Sequence, residues 1–356
     1  MKIYSLFLPQ FYETKENDEW WGKGFTEWVN VKNAKPLFNG HKQPKHPLNN
    51  NYYCMLDKST VEWQTSLMHK YGISGLVYYH YYFDGKLLLE KPAENLLKWK
   101  DIDQEFFFCW ANHTWYRSWE GKKTILQAQT YGTTASWKHH FEYLLPFFKD
   151  PRYTKIDNRP LFMIYDVTFP ELEEMINYFD VECKKNGFNG IKIIRECTSY
   201  QSVDRQLLLK NDDYIFMSSP AVARVKMDTD KIKLLYYWDR IKYRLCQRGI
   251  IKKVQTYRGN DLYDVMISQN QYFTNKRIIP GIFFEWDNTS RHKQRGYIIS
   301  HVEKAKFMQY MSKIKNADFA IVNAWNEWCE DMILEPTEED GYRNLEWIKE
   351  FNDSQS

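Results

Sequence analysis

The chain has 356 residues, of which 43% are hydrophobic and 27% charged, and this composition excludes an intrinsically disordered protein. Its 49 Lys and Arg residues nearly balance its 46 Asp and Glu residues, which argues against nucleic acid as the main partner. No apolar run reaches the roughly 18 residues that span a bilayer, so we predict no transmembrane segment.

Eight apolar, strand-like runs recur along the chain, and a helical stretch follows each of them. Several runs are continuously apolar instead of alternating, which is typical of parallel strands that are covered on both faces. The runs span residues 3–10, 73–83, 105–112, 159–167, 191–198, 214–220, 278–288 and 319–328.

The stretches between the runs carry helix signals. One helix is predicted between an N-cap at Asp57 and Gly72 just beyond its end. Another is predicted from Pro170 at its first position to Gly187 after its last, with five apolar residues on one face. These five residues are Leu172, Met175, Ile176, Phe179 and Cys183.

The alternation of strand and helix predicts an α/β fold, a single (β/α)8 barrel domain over residues 1–356 with long loops after the strands. The alternative is a doubly wound sheet with fewer strands. Its dinucleotide-binding form needs a glycine-rich first turn, and residues 3–13 contain no glycine. The stretch from 199 to 275 fits the pattern least well.

Polar and aromatic side chains stand at the ends of the eight runs. In a barrel, the C-terminal strand ends meet at one face, where the chemistry takes place. We therefore expect these side chains to gather at one rim. The run ends carry Pro9-Gln10, His80, Trp110 to Asn112, Tyr165-Asp166, Glu196, Ser218-Ser219, Trp286 to Asn288 and Asn326-Glu327.

Two carboxylates at the last run, Glu327 and Glu330, are the predicted catalytic residues. Glycoside chemistry uses two carboxyl groups, one to protonate the leaving oxygen and one as base or nucleophile. A turn after Glu327 brings the two to one side, whereas a continuing strand sends them to opposite faces. Trp325 and Trp328 would raise the pKa of a neighbouring carboxyl by desolvation. A pair on a solvated helix is the alternative interpretation.

Ordered motifs along the chain resemble the WbsX-type family, whose members are described as glycosyltransferases of bacterial surface-polysaccharide clusters. That family has a domain similar to glycoside hydrolase family 99, the endo-α-mannosidase and mannanase group. The resemblance is dense over about 1–125 and 280–336 and thin from 167 to 275. Its motifs lie at residues 8–11, 17–28, 78–83, 109–112, 286–289, 321–330 and 334–336.

The resemblance implies a barrel and a retaining reaction at an α-linked sugar that passes through a 1,2-anhydro sugar. Glu327 would be the base for the 2-hydroxyl, and Glu330 the general acid and then the base for the acceptor. The chain departs from the family pattern at His113-Thr114, where an acidic residue and Asn are usual. It departs again at Asp331, where family 99 usually has Gly.

Trp, Tyr and Phe make up 17% of the chain, and aromatic faces stack on sugar rings, although packing in the core is the alternative for most of these rings. Together with the carboxylate pair and the resemblance, they lead us to predict an oligosaccharide or polysaccharide substrate. Each of three predicted parts of the site has an alternative interpretation. The segment 17–28 could be a packed structural loop, and His80 could be a core histidine. Asp287 and Asn288 could form a helix N-cap. The predicted substrate-binding residues are Gln10, Trp20, Trp21, Glu27, Trp28, His80, Tyr82, Trp110, Asn112, Tyr165, Trp286, Asp287, Asn288, Asn326 and Trp328.

The six cysteines form no C-x-x-C pattern, so we predict free buried thiols and, with no apolar leader at the N-terminus, a cytoplasmic setting.

We predict no metal and no cofactor. Asp101-Ile102-Asp103 and Asp228-Thr229-Asp230 have the Asp-x-Asp spacing of metal-dependent glycosyltransferases, but neither follows an apolar strand. The basic stretch 224–258 is typical of a solvated helix, with contact to a membrane surface or an anionic glycan as alternatives.

Three functions are compatible with these observations. The first is a retaining glycosidase or transglycosylase-like transferase that acts on bacterial polysaccharide. The second is a nucleotide-sugar-dependent glycosyltransferase, which requires a diphosphate site. The third is a glycan-binding barrel without catalysis, of which His113 and Asp331 would be signs.

Overall fold

A computed structural model describes residues 1–117, 124–209, 211–230 and 254–355, together with 237–238, 240–241 and 244–245. Within the basic stretch 224–258, residues 231–236, 239, 242–243 and 246–253 therefore lie outside the described residues. None of the helices within the described ranges combines the length and the apolar character that crossing a bilayer requires.

Eight parallel strands form a closed ring, which confirms the predicted barrel. Each strand pairs with its neighbours in chain order, and the last strand pairs with the first, where Lys2 lies opposite Phe319 and Ser5 opposite Val322. The strands are β1 (Lys2–Phe7), β2 (Gly75–Phe83), β3 (Phe106–Trp110), β4 (Arg159–Ile164), β5 (Lys192–Cys197), β6 (Tyr214–Met217), β7 (Ile278–Ile282) and β8 (Phe319–Val322).

Helices surround the barrel and also occur in its loops. They are α1 (Lys15–Trp21), α2 (Glu27–Asn33), α3 (Lys58–Tyr71), α4 (Lys91–Lys98), α5 (Thr134–Lys149), α6 (Leu172–Lys185), α7 (Tyr200–Leu207), α8 (Ala221–Asp230), α9 (Gly259–Ser268), α10 (Asn270–Phe273), α11 (Thr289–His292), α12 (Lys304–Ile314) and α13 (Arg343–Asp353).

Short strands extend the loops between these elements. Lys86–Leu88 pairs with the end of β2, and Lys155–Ile156 pairs with the start of β4. Trp115–Tyr116 pairs with Ile125–Gln127, Tyr297–Ile299 with Gln255–Tyr257 and Trp286–Asp287, and Asn326–Glu327 with Met332–Ile333.

The two helices predicted in detail are present. Helix α3 has Asp57 at its N-cap, and Gly72 follows it in the left-handed conformation at φ +75°, which glycine adopts without strain. Helix α6 begins at Leu172, two residues after the predicted first position, because Pro170 lies in a turn in which the Leu172 amide donates to the Phe169 carbonyl.

The cysteines that the structure describes are free. Cys109, Cys183, Cys197 and Cys329 are buried and Cys54 is half-buried, whereas Cys246 lies outside the described residues. The prediction of free buried thiols therefore holds for four of these five residues, whereas Cys54 is free but only half-buried. The cytoplasmic setting stays a prediction.

Candidate active site

A cavity of about 460 Å³ opens at the C-terminal ends of the barrel strands, and we call it the rim cavity. Six of the residues predicted from the sequence line it: Gln10, Trp21, Tyr165, Trp286, Glu327 and Glu330. Lining residues that the sequence did not single out as site residues include Tyr79, Tyr81, His113, Trp115, Glu196, Ser218, Arg291, Tyr297 and Asn323.

The two predicted catalytic carboxylates come together because the chain turns sharply between them. After β8, Asn326 and Glu327 form a short antiparallel ladder with Met332 and Ile333. A 3-10 turn over Trp328–Glu330 connects the two arms of this ladder. Glu327 and Glu330 therefore lie in the same cavity instead of on opposite faces of a strand.

Arg291, on the short helix α11, joins both carboxylates and a third one below them. Its Nη1 lies 2.8 Å from Glu330 Oε1, and its Nη2 lies 3.6 Å from Glu327 Oε2. The same Nη2 lies 2.9 Å from Oε2 of Glu27, which is fully buried. One guanidinium thus holds Glu327 and Glu330 side by side.

Burial and mutual repulsion change the protonation of this cluster. Burial raises the pKa of Glu327, and the nearby Glu330 raises it further, while Arg291 acts in the opposite direction. Burial also raises the pKa of Glu330, against the opposing effect of Arg291. Because Glu327 and Glu330 lie beside the same cation and Glu330 acts on the pKa of Glu327, their protonation is coupled and belongs to the pair. Two carboxyls with raised pKa values are suited to act as one acid and one base.

The turn behind Glu330 accommodates the unusual Asp331. This residue adopts the left-handed conformation at φ +57°, which Asp tolerates better than most residues other than Gly. Its carboxyl is buried, and Lys45 Nζ lies 3.5 Å from it. Lys45 also pairs with Glu285 and Asp340. The departure from Gly at this position therefore leaves the reversal after Glu330 intact.

A buried carboxylate, Glu335, fixes the segment that carries the pair. Its Oε1 accepts hydrogen bonds from Trp325 Nε1 at 2.9 Å and from Gln64, and its Oε2 accepts from Trp328 Nε1 at 2.8 Å and from Tyr53. Burial raises the pKa of Glu335 to about 7, against the opposing effect of the four hydrogen bonds. Trp328 was predicted to bind substrate, but it lies beneath the carboxylates as part of this support.

The predicted substrate-binding residue Asn326 also has a structural position. Its Oδ1 accepts from the Leu8 amide at 2.8 Å, and its Nδ2 donates to the Leu8 carbonyl and to the Tyr53 hydroxyl. Since Leu8 follows β1, the Asn326 amide joins the segments that follow the first and the last strand.

Strand β2 presents its side chains with the opposite alternation to the one we predicted. Tyr79 and Tyr81 line the rim cavity, whereas His80 and Tyr82 point outward to α5. The imidazole Nε2 of His80 lies 2.9 Å from that of His140, and the Tyr82 hydroxyl donates to the Ser136 carbonyl at 3.2 Å. Burial lowers the pKa of His80 to about 3, so this is a neutral core histidine.

Two predicted substrate-binding residues at the end of strand β3, Trp110 and Asn112, also lie outside the rim cavity. Trp110 packs on His140 outside the barrel, and its Nε1 donates to the Tyr82 carbonyl at 3.0 Å. The Asn112 amide exchanges two hydrogen bonds with the Asp166 backbone, at 2.7 and 2.8 Å. Both residues therefore join elements of the barrel instead of lining the rim cavity.

One part of the loop after β1 lines the rim cavity, and another part is buried behind it. Trp21 lines the rim cavity. Trp20 packs edge-to-face on the cavity residue Trp115, with 5.7 Å between the ring centroids. Trp28 is buried, and its Nε1 donates to the Tyr53 carbonyl at 2.8 Å. Trp20, Trp28 and the buried Glu27 thus lie behind the cavity surface, contrary to the prediction.

Asp287 and Asn288 start helix α11 instead of facing the cavity. Asp287 Oδ1 accepts from the Thr289 amide at 2.9 Å, and its Oδ2 lies 2.6 Å from His41 Nε2. Asn288 occupies the N-cap position, and its Oδ1 accepts from the Tyr297 amide at 3.0 Å. The alternative interpretation as helix-start residues therefore holds, and these residues position Arg291.

Neither of the two Asp-x-Asp sequences lines the rim cavity. Asp101 pairs with Lys58 on the outside of the barrel, and Asp228 and Asp230 form pairs within α8 with Arg224 and Lys226. Within the ranges that the structure describes, His, Cys, Asp and Glu side chains nowhere gather in a group of three suited to a metal ion.

The chain matches the family model described as Glycosyltransferase WbsX over residues 3–348. It is 29% identical over 363 residues to the uncharacterized protein WxcX of Xanthomonas campestris pv. campestris strain B100, and equally to that of strain ATCC 33913. The match covers 97% of this chain and 48% of WxcX, so the chain spans about half the length of the curated relatives it matches.

Solved structures with the same fold include the GH99 endo-α-mannosidase from Bacteroides thetaiotaomicron, with a TM-score of 0.57 at 11% identity over 99% of this chain and 98% of that one. Its complex with bis-tris-propane has a TM-score of 0.59 at 11% identity, with the same coverage. A glycoside hydrolase-like protein has a TM-score of 0.59 at 10% identity, and the match covers 98% of this chain and 93% of that one. At these identities the likeness shows the fold alone.

Proposed function

The chain belongs to the WbsX glycosyltransferase family, and from this premise we propose that it cleaves or transfers an α-linked glycosidic bond in bacterial polysaccharide, with retention of configuration. The observation that carries the proposal is the convergence of Glu327 and Glu330 on Arg291 in an aromatic cavity at the barrel rim. Two coupled carboxyls in one cleft are the arrangement that glycoside chemistry requires.

The proposed reaction has two steps, with the roles that the family 99 resemblance implies. In the first, Glu327 takes the proton of the sugar 2-hydroxyl, O2 attacks C1, and the leaving oxygen takes a proton from Glu330. A 1,2-anhydro sugar forms. In the second, water or an acceptor hydroxyl attacks C1 and gives its proton to Glu330, while O2 recovers its proton from Glu327. Two inversions at C1 retain the configuration.

The central test is the pair of isosteric variants Glu327→Gln and Glu330→Gln. Each should abolish the release of reducing ends, or the transfer of sugar, from α-linked oligosaccharides and bacterial polysaccharides, while the circular dichroism spectrum stays unchanged. Near-normal turnover by either variant contradicts the proposal. Binding of oligosaccharide by the unsubstituted protein without turnover would instead favour a glycan-binding barrel.

The division of roles needs its own test, because Arg291 lies closer to Glu330 than to Glu327 and so favours the ionised form of Glu330 in the free protein. Fluoride leaves a sugar without being protonated. With an α-glycosyl fluoride as substrate, Glu330→Gln should therefore retain the release of fluoride in the first step, and Glu327→Gln should not. The opposite result exchanges the two roles without removing the pair from the reaction.

A nucleotide-sugar donor is the second candidate, since the family is described as glycosyltransferases. The charges of the rim cavity argue against it. Arg291 is the single Lys or Arg among its described lining residues and already contacts carboxylates, whereas Glu196, Glu327 and Glu330 would repel a diphosphate. Release of nucleotide from added nucleotide sugars would favour this candidate over the first.

A further inference from the structure

Besides Glu327 and Glu330, the carboxyl of Glu196 lines the rim cavity, from a strand on another side of the barrel. It lies near the end of β5, next to Arg195, which points outward and pairs with Glu173 and Asp213 at 2.7 and 2.8 Å. Since side chains alternate along a strand, Glu196 points inward, where it lines the cavity and is 5% exposed.

Glu196 lacks a complete set of hydrogen bonds. Ser218, which follows β6, lies close enough to lower the pKa of Glu196 through its hydroxyl, but Oε2 has no hydrogen-bond partner among the described residues. An unpaired buried carboxyl oxygen is costly, so such a group usually has a role. Burial raises the pKa of Glu196 to about 7, which keeps a neutral, hydrogen-bond-donating form available near neutral pH.

The position of Glu196 relative to the catalytic pair sets which part of a sugar it would meet. Strand β5 is three steps from β8 around the eight-stranded ring, where four steps would be directly opposite, so Glu196 enters the cavity from nearly the far side of the ring from β8. Burial and the charges of both Glu196 and Glu327 raise the pKa of Tyr79 and Tyr165, so these two tyrosines lie near both carboxyls. In a pyranose ring, C4 is the carbon opposite C1.

We propose that Glu196 is a specificity-determining residue that hydrogen-bonds the 4-hydroxyl of the sugar whose anomeric carbon reacts at Glu327 and Glu330. The inference rests on the proposed function, because the catalytic pair fixes where C1 lies. With C1 and C2 at the pair, the far side of the ring, at C4, faces the unpaired oxygen of Glu196. A pyranose with a free 4-hydroxyl is the ligand class that satisfies this oxygen.

The test measures binding in the Glu327→Gln background, so that no ligand is consumed. The probes are the methyl α-glycosides of mannose, glucose and galactose and their 4-deoxy analogues, titrated by NMR. Adding Glu196→Leu should weaken binding of the best-bound 4-hydroxy glycoside by about tenfold or more, as expected for one lost hydrogen bond. It should change binding of the matching 4-deoxy glycoside by less than about twofold.

Glu196→Gln is the matched control, because its amide keeps both a donor and an acceptor in the same shape. It should retain the preference for the 4-hydroxyl, and a loss of that preference overturns the inference. Equal weakening of both glycosides by E196L, or no weakening, also overturns it. If none of the glycosides binds although the unsubstituted protein turns over polysaccharide, the inference fails and the proposed function stands. If neither binding nor turnover is found, both fail.

Discussion

At the scale of single residues, Arg291 determines the character of the candidate site more than any other described side chain. It is largely buried and contacts carboxylates from two distant parts of the chain, at Glu27 and at Glu327 and Glu330. Although burial alone would lower the pKa of Arg291, these carboxylates raise it well above its usual value. The cation therefore stays charged and holds the pair together.

Replacing Arg291 should cost stability as well as activity. In Arg291→Met, the buried carboxyl of Glu27 loses its cation, and an uncompensated buried charge typically costs about 3–5 kcal/mol. We expect urea unfolding to show a loss of that order. Lys293→Met, at an exposed position in the same loop, serves as the control and should stay within about 0.5 kcal/mol of the parent. Equal stability of the two variants contradicts the role given to Arg291.

The sequence alone leads to the carboxylates Glu327 and Glu330 but not to the roles of Arg291 and Glu196. Glu327 and Glu330 stand out because they follow an apolar run and tryptophans surround them. Arg291 and Glu196 acquire their roles from contacts with residues far away in the chain, and nothing in their own neighbourhoods distinguishes them from other loop or strand residues. Glu196 was recognised as a strand end, but its unpaired oxygen is a property of the folded barrel.

At the scale of elements, β2 illustrates why the existence of a strand is easier to predict than its orientation. Residues 76–83 are apolar or aromatic on both faces apart from His80, since the cavity lies on one side and α5 on the other. A period of two therefore gives no indication of which face is inside. His80 and Tyr82, which we predicted to bind substrate, both belong to the outer face.

Neighbouring tyrosines on β2 provide a matched test of this alternation. Tyr81→Phe removes a hydroxyl from the rim cavity and should lower kcat/KM by about tenfold while the unfolding free energy changes by less than about 0.5 kcal/mol. Tyr82→Phe removes the hydrogen bond to the Ser136 carbonyl, so it should cost about 0.5–1.5 kcal/mol of stability and leave activity unchanged. The reverse pattern would contradict the assigned orientation of the strand.

The predicted ends of the elements were less accurate than their centres. The last run was predicted to extend over 319–328, whereas β8 ends at Val322 and the next residues form a separate ladder. Apolar side chains continue through Trp325 and Trp328 because these rings pack around Glu335 and not because the strand continues. A buried loop and a buried strand therefore give the same run of apolar side chains in this part of the sequence.

At the scale of the whole molecule, all eight predicted strands are present and the ring is closed. The regular apolar runs made this possible, even in the stretch from 199 to 275 that fitted least well. The extent of one domain over residues 1–356 stays a prediction. Helix α13 packs against α3 and α12, next to the seam where β1 and β8 meet.

Closure of the barrel at this seam should depend on the core of α13. Leu345 is fully buried, and Leu345→Ala should lower the unfolding free energy by about 2–5 kcal/mol. Lys349→Ala, on the exposed face of the same helix, should change it by no more than about 0.5 kcal/mol. At temperatures where both variants are folded, their activities should be equal. A fall in activity in folded Leu345→Ala would show that α13 also shapes the rim cavity.

The shared guanidinium has a consequence for biosynthesis. Glu27 is translated before Arg291, and Glu327 and Glu330 are translated after it. While the ribosome is still adding β8, Glu27 lacks the neighbours that complete its ionic cluster, and the carboxylates of the proposed chemistry have not yet been made. The proposed chemistry therefore has to wait until residue 330 and the residues that pack around it have left the ribosome.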